Sequence, residues 1–159
     1  MEDEMAISAG AKAPGFELES TAGRLKLDGL GKRLVLYFYP RDNTPGCTRE
    51  AQGFAELYEE FRALGAEVWG VSKDSLASHE RFKEKYALPF PLLSDPDNQV
   101  ARAYGAFGTK KMYGKEVEGV IRSTFVIGPD GEIEAVWSPV KVDGHAEQVL
   151  ARVRELAGR

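Results

Sequence analysis

Leu34-Val35-Leu36-Tyr37-Phe38-Tyr39 is a continuous apolar run, short and rich in aromatic residues. Such a run suits a strand covered on both faces, so it predicts the middle of a sheet. Val68 to Val71, after the break at Gly65, reads as a second strand, and Ser123 to Ile127 as a third. The latter meets Pro129-Asp130-Gly131, a turn signal, and returns as Ile133 to Trp137.

Between the first two strands, Pro45 and Gly46 introduce a segment in which Cys47, Ala51, Phe54, Tyr58 and Phe61 recur at steps of four and three. That spacing predicts a helix whose opposite face carries Arg49, Glu56, Glu59 and Arg62, with Cys47 in the first turn and facing inward. Ser75 to Tyr86, Asp97 to Tyr104 and His145 to Ala157 are further predicted helices. A strand, a helix and another strand in succession imply a parallel pair with a right-handed crossover. The expected class is α/β, a mixed central sheet flanked by helices. No repeat, low-complexity tract or linker divides residues 1–159, which read as one domain.

At 159 residues with 43% hydrophobic content, the chain can bury a core without staples. A net charge of −4 argues against nucleic acid as a partner, because affinity there rests on neutralising phosphates. The first residues, Met1 to Met5, are acidic, and no apolar stretch has the length of a membrane span, so a soluble, untargeted protein is expected. The single cysteine rules out an internal disulfide, a Cys-x-x-Cys pair and multi-cysteine zinc sites. It also suits the reducing cytoplasm.

A thiol near its ordinary pKa of about 8.5 is mostly protonated at neutral pH, yet the thiolate is the nucleophile. A first-turn position favours the anion through unpaired backbone N–H groups and the helix dipole. Position alone does not separate this reading from a small buried hydrophobe, the common fate of a free cysteine.

The surrounding string, Tyr39-Pro40-Arg41-Asp42-Asn43-Thr44-Pro45-Gly46-Cys47-Thr48-Arg49-Glu50, resembles the peroxidatic loop of peroxiredoxins: Pro40, Thr44 four positions later and Cys47 three further on. A peroxide bond breaks when a thiolate attacks one oxygen while donors stabilise charge on the other. Thr44 offers a hydroxyl that accepts and donates, and Pro40 can shape and shield the pocket mouth. Arg122, just before Ser123-Thr124-Phe125-Val126-Ile127, matches the family's strand arginine, and its guanidinium can both favour the thiolate and grip peroxide oxygens. Glu50, one turn beyond Cys47, is similar to the family's glutamate that orients this arginine through a carboxylate fork. A solvated helix charge is the other reading.

Ala13 to Leu18 resembles the family's opening strand, Ser94-Asp95 the end of another, and Lys110 to Lys115 a stretch of the bacterioferritin comigratory, or peroxiredoxin Q, subfamily. The resemblance covers about Ala13 to Trp137. It implies a thioredoxin-like fold and reduction of hydrogen peroxide and small organic hydroperoxides through a sulfenic acid, with no cofactor or metal. Subfamily members often carry a resolving cysteine five positions after the first, or in the later helix. This chain has Gln52 at the one place and no cysteine in Ser78-His79-Glu80-Arg81-Phe82-Lys83 at the other. It is therefore expected to be a one-cysteine member resolved by an external thiol such as thioredoxin, glutaredoxin or glutathione, and a monomer. A noncatalytic thioredoxin-fold redox sensor or holdase is the alternative.

The remaining features read more plainly. His79 and His145 have no partners patterned for a metal or a Cys-His dyad and are expected at the surface. Gly29-Leu30-Gly31-Lys32 lacks the residues of a phosphate loop and reads as a turn. Asp95 to Asn98 fits a helix cap, and Lys110, Lys111 and Lys115 a charged loop with the makings of a docking patch.

Overall fold

The computed structural model describes residues 6–158; Met1 to Met5, read above as an acidic start, lie outside the described residues. The order is β1 (Glu17–Ser20), β2 (Gly23–Lys26), β3 (Arg33–Phe38), α1 (Pro45–Ala63), β4 (Ala66–Ser72), α2 (Leu76–Lys85) and β5 (Leu92–Ser94). There follow α3 (Gln99–Ala103), β6 (Phe107–Met112), β7 (Lys115–Val120), β8 (Ser123–Ile127), β9 (Ile133–Trp137) and α4 (His145–Ala157).

Seven strands form one mixed sheet in the order β2-β1-β5-β4-β3-β8-β9. β3 runs parallel to β4 across the α1 crossover, as the strand and helix alternation predicts, and antiparallel to β8. Because side chains alternate along a strand, β3 feeds both faces of the sheet. Val35, Tyr37 and Tyr39 pack with the apolar stripe of α1 and with α4, while Leu34, Leu36 and Phe38 pack with α3 and the root of the β6–β7 hairpin. The α1 stripe read from spacing, from Cys47 to Phe61, is buried throughout. Tyr37 stacks on Phe54 at 4.8 Å and lies over its register partner Gly70, where a Cβ would stand 2.8 Å from the ring.

The structure departs from the sequence reading in several places, three of them in the fold. β1 begins at Glu17 rather than at Ala13. Lys110 to Lys115 is not a loop but the tip of an antiparallel hairpin, whose turn residues Tyr113 and Gly114 both have positive φ. That geometry suits the right-handed twist of paired strands. Its charges hid it, because a two-stranded arm that is mostly exposed needs little apolar alternation. The third departure concerns the histidines: His79 and His145 are buried at 0% and 2% exposure, held by polar partners that lie far away in sequence.

The start of α3 is capped as expected, but from further back. The Asp95 carboxylate accepts from the N–H groups of Gln99, Val100 and Ala101 at 3.0–3.1 Å, while Asn98 makes no side-chain cap. No helix among the described residues is long and apolar enough to cross a membrane.

Candidate active site

The chain leaves β3 through Pro40, turns over Arg41 to Asn43 and enters α1 at Thr44. Thr44 holds the N-cap position in extended geometry, with Pro45 as the first helical residue and Cys47 as the third. Its hydroxyl does not cap the helix; it donates to the Arg41 carbonyl at 3.0 Å. The first turn therefore keeps N–H groups without a side-chain acceptor, next to a sulfur that is 2% exposed. The Thr44 oxygen keeps its lone pairs for a donor arriving from outside.

Arg122 reaches this turn from the start of β8. Its own carbonyl is fixed by the Val140 N–H at 2.9 Å, and its Nη1 donates to Glu50 Oε1 at 2.7 Å. Gly46 admits it, since a Cβ there would stand 3.3 Å from Arg122 Nη2. Burial disfavours the guanidinium charge, but Glu50 and Cys47 outweigh burial and hold its pKa above the ordinary value. The Glu50 side chain is 1% exposed. The solvated reading of Glu50 is thus wrong, and so is the fork, because Oε2 has no hydrogen-bond partner among the described residues. Burial pushes the Glu50 pKa up to about 7 despite the pull of Arg122 in the other direction.

Two buried histidines brace the site from behind. Asp42 of the loop accepts from Tyr39 Oη at 2.6 Å and from Ser78 Oγ at 2.8 Å, and its Oδ2 lies 2.8 Å from His79 Nδ1. His79 Nε2 faces the Leu93 carbonyl at 2.9 Å; a carbonyl only accepts, so Nε2 carries a proton. The loop is thereby tied to α2 and β5. His145, at the start of α4, shares a 2.8 Å hydrogen bond with Thr124 of β8, two residues from Arg122. Burial, helped by the Arg122 charge, lowers its pKa to about 4, so it is neutral at pH 7. No local spacing in the sequence marks Asp42, His79 or His145, because each finds its partner only after folding.

A cavity of about 710 Å³ opens beside Cys47. Pro40, Thr44, Cys47 and Arg122, all singled out from the sequence, line it, and Glu50 is joined to it through Arg122. The hairpin supplies the far wall with Phe107, Lys110, Val117 and Val120, and Lys73 and Asn98 complete it. Sequence reasoning missed Phe107, Val117 and Val120 because it missed the hairpin, and Lys73 and Asn98 because only the fold brings them to this wall. Together the floor holds a sulfur, a fixed cation, first-turn N–H groups and a hydroxyl acceptor.

A family model described as AhpC/TSA matches residues 9–136. Peroxiredoxin Bcp of Bacillus subtilis is 44% identical over 155 residues, covering 96% of this chain and 99% of its own length. Peroxiredoxin Bcp of Escherichia coli is 40% identical over 153 residues, covering 95% and 98%. Among solved structures, a cysteine-to-serine mutant of Xanthomonas campestris peroxiredoxin Q superposes with a TM-score of 0.87 at 41% identity, covering 95% of this chain and 99% of that one. The bacterioferritin comigratory protein of X. campestris, solved as trapped intermediate and ligand complexes bearing on alkyl peroxide reduction, gives 0.85 at 41% identity and coverage of 98% and 99%.

Proposed function

Because the chain belongs to the AhpC/TSA family, in its Bcp or peroxiredoxin Q branch, and is a thiol-dependent peroxidase, we propose that Cys47 is the sulfur that attacks the hydroperoxide. The observation that carries this assignment is the meeting of Arg122 with Cys47 on a helix's first turn at the floor of a cavity.

The Cys47 thiolate attacks one peroxide oxygen; an S–O bond forms and the O–O bond breaks. The leaving alkoxide or hydroxide takes up a proton and departs as alcohol or water, and Cys47 becomes a sulfenic acid. Arg122 stabilises the thiolate before attack and the oxygen charge during it. Thr44, its own proton given to Arg41, accepts the hydrogen bond of the incoming hydroperoxide O–H. Pro40 lacks an N–H and screens the mouth. Glu50 holds Arg122 by one hydrogen bond and acts as a positioning residue.

Hydrogen peroxide and small organic hydroperoxides are the proposed substrates, and the partly apolar cavity suits the latter. With one cysteine in the chain, the sulfenic acid is resolved by an external thiol, with thioredoxin, glutaredoxin and glutathione as candidate donors. Over-oxidation to sulfinic acid competes with that step. The working unit is a monomeric single domain, residues 1–159, in the cytoplasm. Peroxide consumption with each donor tests the reading: it should require the donor and vanish in Cys47→Ser, and consumption surviving that substitution would refute it.

A further inference from the structure

As Cys47 attacks, charge builds on the departing oxygen, which leaves as alcohol or water only once it has taken a proton. The residues around the sulfur offer few sources for it. Thr44 has given its hydroxyl proton to the Arg41 carbonyl. Arg41 and Arg122 line the cavity, but a guanidinium does not release a proton in proteins. Glu50 is bonded to Arg122 and is not among the lining residues, and Glu118, which is, stands exposed and as a carboxylate accepts rather than donates. Lys73 and Lys110 remain. Lys73 is exposed, whereas Lys110 is half-buried with its head fixed. Its side chain crosses the hairpin over Gly119, where a Cβ would stand 3.5 Å from Lys110 Cε, and its Nζ donates to the Val120 carbonyl at 2.8 Å. Val120 lies two residues before Arg122, so this bond anchors the ammonium on the segment that carries the guanidinium. One of its N–H groups is thereby spent and two stay available. Among the described residues no carboxylate is ion-paired with it. Burial first, then the Arg122 charge and more weakly Lys73, lower its pKa against the opposing pull of Cys47, which makes it a readier proton donor than an exposed lysine.

From this arrangement we propose that Lys110 is the general acid of the peroxidase, the group that protonates the departing oxygen. The proposal rests on the reading of Cys47 as the attacking sulfur and supplies the source of the proton. As the S–O bond forms and the O–O bond breaks, an N–H of Lys110 passes its proton to the oxygen that leaves. Alcohol or water departs, Cys47 is left as a sulfenic acid, and the neutral amine regains a proton from solvent through the cavity. Sulfur is oxidised and the peroxide reduced by the same electron pair, so no further reactant is consumed. The two cations then divide the work: Arg122 stabilises charge without losing a proton, and Lys110 can lose one. A hydroxide or alkoxide leaving group gains most from such a donor, since its conjugate acid is as weak as water, with a pKa of about 15.7.

The test compares two oxidants on the full chain, with single-turnover oxidation of Cys47 followed by quenched intact mass spectrometry. Hydrogen peroxide expels hydroxide, which needs a proton; peroxyacetic acid expels acetate, which does not. Lys110→Gln should slow oxidation by hydrogen peroxide about 100-fold, the lower end of what a general acid contributes, and change oxidation by peroxyacetic acid less than about threefold. Lys110→Arg keeps the charge but does not release a proton, so with hydrogen peroxide it should be as slow as Lys110→Gln. An equal loss with both oxidants would assign Lys110 to the thiolate or to the architecture of the site and would overturn the proposal. So would recovery in Lys110→Arg, which would mean that charge alone is needed, or an unchanged rate with hydrogen peroxide, which would make solvent the proton donor. If neither oxidant reacts with Cys47 in the parent chain, the reading of that sulfur as the nucleophile itself fails, a result distinct from all of these.

Discussion

Arg122 Nη1 donates to Glu50 Oε1 at 2.7 Å while Nη2 passes beside Gly46, so one guanidinium joins the second turn of α1 to the first, where Cys47 sits. The ion pair is buried on the carboxylate side and partly open on the other, at 1% and 18% exposure. Its placement gives the arginine a fixed direction toward the sulfur.

Arg122→Met should slow the oxidation of Cys47 by hydrogen peroxide about 100-fold, the usual loss when an aimed donor is removed from a developing oxyanion. Arg122→Lys keeps a charge but not the planar fork and should fall between. Stopped-flow oxidation under single-turnover conditions measures both. A rate in Arg122→Met within threefold of the parent, about 0.6 kcal/mol, would remove the arginine from the mechanism.

Two buried groups near Arg122 titrate with opposite consequences for stability. Glu50 is raised from 4.5 to about 7, chiefly by burial, so its contribution is fully present below pH 4.5 and is lost as the pH rises toward 7. His145 is lowered from 6.5 to about 4, again chiefly by burial, so its contribution is fully present above pH 6.5 and is lost as the pH falls toward 4. Each shift corresponds to roughly 3 kcal/mol over its window, and between pH 4.5 and 6.5 the two slopes oppose one another. Glu50→Gln should therefore make the protein more acid-sensitive than the parent in that interval, and His145→Gln should make it less so. Urea denaturation at a series of pH values gives the slopes; parallel curves for parent and variants would contradict the assignment.

Thr44→Val removes the acceptor facing the cavity and also the hydroxyl bond to Arg41, while Thr44→Ser keeps both. The valine variant should oxidise about 100-fold more slowly and the serine variant within about threefold of the parent. A capping role would instead give equal oxidation rates and a loss of helix stability of about 1 kcal/mol, readable by thermal unfolding.

The sequence revealed whatever is periodic or locally encoded. The apolar run at Leu34 predicted β3 to within one residue, and Ser123–Ile127, Ile133–Trp137 and His145–Ala157 fall where their patterns predict. Pro40, Thr44, Cys47 and Arg122 were legible through their resemblance to a known loop, and they converge on one cavity. The illegible parts depend on contacts between distant segments. His79 is solvable as a buried residue only once Asp42 and Leu93 are beside it. The pairing of Glu50 with Arg122 was legible through the same resemblance, but its burial and its single hydrogen bond follow only once Arg122 arrives from 72 residues away. The β6–β7 hairpin is charged on its strands and turns through Tyr113-Gly114, so neither apolar alternation nor an Asn-Gly signal announced it.

The most direct measurement is intact mass spectrometry of the full chain after one equivalent of hydrogen peroxide, with and without a sulfenic-acid trap. One oxygen should be added within seconds, localised by peptide mapping to Cys47, captured by the trap and lost on addition of thiol. A Cys47 that stays reduced while peroxide persists, or an oxygen found elsewhere on the chain, would contradict the assignment of that sulfur as the reacting atom.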